Sequence, residues 1–105
     1  MTIKAWKNLK SGDVIKVKNY YNYWIVKSIG YGDLPIEEYT NNDYVIEVSE
    51  YERGNIGGTI FNHYQVDKVI TDPIILSALK YGVKHSDDYL SFVSGVEWAK
   101  KKISK

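Results

Sequence analysis

The side chains that could carry out chemistry are few and scattered. The chain has two histidines, His63 and His85, and no cysteine. A structural zinc site needs closely spaced Cys or His ligands, and neither a Cys pair nor a helical His pair is present. The acidic residues do not follow the alternating spacing of a calcium-binding loop. Gly54, Gly57 and Gly58 form a glycine-rich turn, but no helix follows it, so it makes no phosphate cradle. His63 could serve as a base for Ser28, Ser49 or Thr59. Such pairs occur in any chain of this size, and catalysis needs mutual geometry. The expectation is no catalytic residue, no metal and no cofactor.

Binding chemistry is better represented. The C-terminal region reads as an amphipathic helix in which Tyr89, Phe92, Val93, Val96 and Ile103 share one stripe at 3.6-residue spacing. Trp98 falls on the opposite side, among Ser91, Ser94, Gly95 and Lys102. An indole there suits an anchor for a protein partner, since Trp is enriched at binding hot spots. The alternative is that a helix or the segment around Trp6 covers it. Tyr20, Tyr21, Tyr23 and Trp24 crowd one chain reversal. Such rings stack on bases, cage ammonium groups, grip peptides, or simply pack across strands.

Charge is segregated along the chain. Residues 1–29 hold six Lys and one acid, Asp13. Residues 30–55 hold seven acids and only Arg53; the acids include Asp33, Glu37, Glu38 and Asp43. An acidic lobe of this kind could dock on a basic protein and even imitate nucleic acid. Neighbouring strands that pair opposite charges would produce the same pattern. Lys16 and Lys18 share a strand face near the tyrosines, and cations interleaved with aromatics suit single-stranded nucleic acid. The scarcity of Arg argues against base reading.

These residues need a scaffold, and 105 residues suffice for one domain with a real core. The net charge of +1 provides no global field to steer nucleic acid. Lysines without an apolar stretch at the start do not read as a secretory signal, and no run reaches the length of a membrane span. Without cysteines, a cytoplasmic location is expected. A Lys-, Asn-, Ile- and Tyr-rich composition is what AT-rich codons yield, which suggests a low-GC bacterium or one of its phages.

Residues 10–70 read as β-rich. Strands are expected at 14–18, 23–31, 44–51, 59–62 and 66–70, with turns at Ser11-Gly12-Asp13 and residues 19–22. The second strand is apolar in part on both faces, which makes it a central strand or one covered on both sides. In the third, Tyr44, Ile46 and Val48 face inward and Glu47 and Ser49 outward. A tight turn at residues 63–65 leads into the fifth strand. Asp72-Pro73 starts a helix expected to stop at Gly82. Ile74, Ile75, Ala78 and Leu79 are its apolar side. A second helix is capped by Ser86, with Asp87 and Asp88 at its positive end and Lys100, Lys101 and Lys102 at its negative end.

The opening Lys10-x-Gly12-Asp13 followed by apolar alternation to Val17 resembles the first strand of SH3-like barrels. The resemblance covers about a tenth of the chain and implies a fold, not an activity. Toxin ribonucleases of the MazF type share the Gly-Asp opening, but the arginine-rich stretch expected after it is missing, so their activity does not carry over. The expected fold is α+β, mainly β: a five-stranded SH3-like barrel followed by two C-terminal helices.

These residues point first to a non-enzymatic protein-binding domain that occludes a surface of a host protein. Its contact residues would be Trp98, Tyr20, Tyr21, Asp33, Glu37, Glu38 and Asp43. The alternative is a nucleic-acid-binding barrel using Lys16, Lys18, Tyr20, Tyr21 and Tyr23. A further alternative is a small-molecule or nucleotide binder with a tyrosine-lined pocket. No membrane partner is expected.

Overall fold

The computed structural model describes residues 1–30, 35–40, 43–51, 58–85 and 88–103. They form an α+β structure with one five-stranded antiparallel sheet and three helices. The chain divides into two compact units, residues 1–69 and 70–105.

The first unit opens with a short helix that the pattern of apolar residues does not announce, α1 (Ile3–Lys7). The Thr2 hydroxyl caps it by accepting from the Ala5 amide at 3.1 Å. Its purpose is to deliver Trp6 to the core. Five strands follow: β1 (Val14–Val17), β2 (Tyr23–Ile29), β3 (Val45–Glu50), β4 (Thr59–Asn62) and β5 (Val66–Ile70). The order across the sheet is β4-β3-β2-β1-β5, so β2 is central, one of the two arrangements its partly apolar faces allow. The sheet ends on β4 and β5, and no ladder joins them among the described residues. A single 3-10 turn, His63–Gln65, links the two strands where a tight turn is expected.

One face of the sheet carries the core: Ile15, Val17, Trp24, Val26, Ile46, Val48 and Phe61, with Trp6, Leu9 and Val66. Ser49 departs from the expected outward position and is only 2% exposed. Val14 pairs with Ile25, which pairs with Ser49, and Tyr23 lies on the same opposite face. Val14 and Tyr23 are buried as well, so part of this face is covered too, and the small Ser49 lies in that part.

The second unit is a helical hairpin of α2 (Pro73–His85) and α3 (Tyr89–Ile103). Asp72 starts α2 as expected, its carboxylate accepting from the Ile74 amide at 2.9 Å. The helix does not stop at Gly82 but runs on to His85. Gly82 is buried instead against α3, where an added Cβ would lie 3.0 Å from Phe92 Cδ1 and 3.2 Å from Tyr89 Cβ. The missing side chain therefore permits close helix packing rather than ending a helix.

At the start of α3 the expected cap Ser86 lies outside the described residues, as does Asp87. Asp88 performs the capping: its carboxylate accepts from the Ser91 amide at 3.2 Å and the Ser91 hydroxyl at 2.7 Å. Tyr89 and Val93 bury the apolar stripe. Ile103 is 83% exposed, contrary to its place on that stripe. Lys100 pairs with Asp72 at the very start of α2. The last turn of α3, with Ile103, therefore extends past the end of its partner helix.

Candidate interaction surfaces

Trp98 stands 62% exposed. Its neighbours along α3, Ser91, Ser94, Gly95, Lys101 and Lys102, are exposed too. A Cβ added at Gly95 would meet nothing within 4 Å. The Lys102 ammonium sits over the indole, 4.8 Å from the ring centroid. Such a contact orients the ring and shields part of its face. Trp98 owes its position to the burial of Tyr89 and Val93, which turns the other side of the helix outward.

The tyrosine cluster separates into members of different roles. Asn19 takes a left-handed φ of 68°, and the Tyr20 amide donates to the Val17 carbonyl at 3.2 Å, closing the reversal. Tyr21 at its tip is 88% exposed. Tyr20 is half-exposed, its ring edge-to-face with Trp24 and Phe61 at 5.7 and 5.2 Å. Trp24 is buried, and its indole N–H has no hydrogen-bond acceptor. Its ring also stands edge-to-face with Phe61 at 5.1 Å.

Tyr23 is only 4% exposed, with Lys16 Nζ 4.5 Å from its ring centroid. Lys16 also donates to the Tyr21 carbonyl at 2.6 Å, so its ammonium fastens the reversal. Lys18 is exposed, and its backbone amide donates to the Gln65 carbonyl at 2.8 Å.

Of the acidic residues, Asp33 lies outside the described residues. Glu37 and Glu38 are exposed on a short 3-10 turn, Ile36–Glu38. Asp43 is engaged locally: it accepts from the Thr40 amide at 2.8 Å and the Thr40 hydroxyl at 2.7 Å. These bonds, the amide first, hold its carboxyl below the ordinary carboxylate value.

His63 and His85 belong to different units. The His63 ring stands edge-on to Tyr44 and Tyr64 at 5.4 and 5.7 Å, and its buried Nδ1 has no hydrogen-bond partner. That nitrogen therefore activates no hydroxyl. His85 lies 4.5 Å from Tyr81, ring centroid to centroid, at the end of α2. Among the described residues no group of His, Asp and Glu could hold a metal ion. None of their helices is long and apolar enough to cross a membrane.

Sequence reasoning missed Tyr64, Ile60 and Tyr81, all more than half exposed. Ile60 sits on the end strand β4 opposite Glu47, and only knowledge that β4 is a sheet edge would have placed it outside. The chain matches no family model, no curated protein and no solved structure.

Proposed function

We propose that this protein is a non-enzymatic binding domain that engages another protein through Trp98, in keeping with occlusion of a host protein surface. The supporting observation is the 62% exposure of that indole on a helix that buries Tyr89 and Val93 on its other side. Packing does not require a large aromatic at this position. Covering its exposed area would contribute about 2–3 kcal/mol to a complex. Tyr21, Glu37 and Glu38 are exposed on the other unit and form a second set of contact residues. Charges there would set orientation and encounter rate more than affinity.

Capture from a low-GC bacterial lysate with wild-type protein, Trp98→Ala and Glu37→Lys tests this. Loss of a specific partner with Trp98→Ala supports the reading. Equal recovery with all three variants removes both residues from it.

The SH3-like assignment is also part of this proposal. The strand order β4-β3-β2-β1-β5 and the single-turn link from β4 to β5 support it. Nucleic-acid binding is the weaker reading, because Tyr23 is buried and Lys16 is bonded to Tyr21, leaving Lys18, Tyr20 and Tyr21.

A further inference from the structure

The exposed side of α3 has a composition that selects among partners. From Ser91 to Lys102 it presents Ser91, Ser94, Gly95, Trp98, Lys101 and Lys102, a strip about 16 Å long at 1.5 Å per residue. It is low where Ser94 and Gly95 stand and high at the indole, so a partner's side chain can seat over Gly95 against the ring. Open space at the Gly95 Cβ position makes that seat available. Lys101 and Lys102 follow one turn later. Neither forms an ion pair with any described residue, whereas Lys100 is paired with Asp72.

Three features narrow the occupant. The strip lies in the body of a helix, where the backbone N–H and C=O groups are bonded internally. An extended peptide would therefore gain no main-chain hydrogen bonds, while a helix arrives with its own backbone satisfied. Ser94 and Gly95 allow helix axes to approach within the ordinary packing distance. The charge of the strip is positive, and complementarity calls for carboxylates on the partner. A lipid surface would need a broad apolar face, but Trp98 is the one large apolar side chain of this strip, and the exposed Ile103 falls on the other side of α3.

We infer that the Trp98 strip of α3 receives an acidic amphipathic helix of a partner protein. An apolar side chain of that helix seats over Gly95 beside the indole, and its carboxylates pair with Lys101 and Lys102. This rests on the reading of Trp98 as a binding anchor and specifies its partner's chemistry. On docking, Lys102 leaves the indole face for a carboxylate.

The test uses the full chain and two helical peptides with one Leu face, differing only in Glu or Lys at the polar positions. Phosphatidylserine vesicles and an oligothymidylate serve as competing classes. Binding of the Glu peptide with a blue shift of Trp98 emission is expected, weakened about thirtyfold by Trp98→Ala, the scale of a hot spot. The double variant K101E/K102E should prefer the Lys peptide. Because glutamates oppose the helix dipole at this end, K101Q/K102Q is the second variant. It should lose the Glu peptide without gaining the other.

Equal binding of both peptides, or of neither, overturns the inference, as does a response only to vesicles or oligothymidylate. Lysate capture separates the two claims. A partner lost with Trp98→Ala but kept with K101Q/K102Q ends the acidic helix and leaves the anchor standing. A partner kept with both variants ends both.

Discussion

The indole N–H of Trp6 donates to the carbonyl oxygen of Val45 at 2.9 Å, tying α1 to β3 across 39 residues of sequence. The ring is almost fully buried and stands edge-to-face with Tyr39 and Tyr44 at 5.7 and 5.2 Å. Trp6→Phe keeps most of the ring but loses this bond, leaving the Val45 oxygen with the Gly30 amide at 3.0 Å as its donor, at a cost of about 0.5–1.5 kcal/mol. Trp6→Ala adds a cavity and should cost about 3–5 kcal/mol. Urea unfolding measures both. A Trp6→Ala protein as stable as wild type would mean that α1 is not part of the core.

Gly30 and Gly12 both have left-handed backbones, with φ of 77° and 96°. They differ in surroundings. A Cβ at Gly30 would collide with the Tyr39 hydroxyl, whereas one at Gly12 would meet nothing within 4 Å. Gly12→Ala should therefore cost only the backbone penalty, about 1–2 kcal/mol. Gly30→Ala should cost more, and Tyr39→Phe in the same molecule should recover part of the excess. A double-mutant cycle reads the coupling. Zero coupling energy would place Tyr39 elsewhere.

The sheet was largely legible because period-two patterning is a direct physical signature. The partly apolar faces of residues 23–29 marked a central or doubly covered strand, and the alternation from Tyr44 to Val48 marked an inward face. Ser49 was misread because alternation reports side, not whether that side is covered. α1 escaped because five residues complete little more than one turn, too few for helical periodicity. A helix-ending glycine and a helix-packing glycine look alike between apolar runs, so Gly82 needed the position of Phe92. Trp98 was legible as off-stripe by angle alone, but its exposure required knowing what else covers α3. Tyr20 and Tyr21 are sequence neighbours with equal propensities, and only the packing of Tyr20 on Trp24 and Phe61 distinguishes them.

Gly82→Ala should loosen the helical hairpin although alanine is the better helix former. The propensity gain is about 1 kcal/mol. Against it stands a Cβ 3.0 Å from Phe92 Cδ1 and 3.2 Å from Tyr89 Cβ, and overpacking costs about 1–3 kcal/mol. Net destabilisation in thermal unfolding is expected, with relief in the pair Gly82→Ala and Phe92→Leu. A more stable Gly82→Ala would show that the helices separate freely at this point.

Asp88 gives α3 a dependence on pH. Its carboxyl is held below the ordinary 3.8, first by the Ser91 hydroxyl and then by the Ser91 amide. A carboxylate with a depressed folded-state value stabilises the fold above the unfolded value. That contribution disappears as pH falls through the folded value. Fraying of α3 should therefore set in on acidification below the ordinary carboxylate range, and Asp88→Asn should flatten the dependence. Amide exchange at Ser91 and Phe92 follows it. Identical acid profiles for wild type and Asp88→Asn would remove Asp88 as the cap.

Trp98 supplies its own optical test. The chain has three tryptophans, of which Trp6 and Trp24 are buried and Trp98 is 62% exposed. Collisional quenchers should therefore reach one indole of the three. Lys101 and Lys102 flank it, and local positive potential concentrates anions. Iodide should quench more efficiently than caesium at equal concentration, and added salt should narrow the difference as screening sets in. Trp98→Phe should abolish most of the accessible fraction while leaving the buried emission. If iodide and caesium quench equally in the wild type, the lysines do not surround the ring. If Trp98→Phe leaves quenching unchanged, the exposed indole is a different one, and the strip from Ser91 to Lys102 is not the surface described.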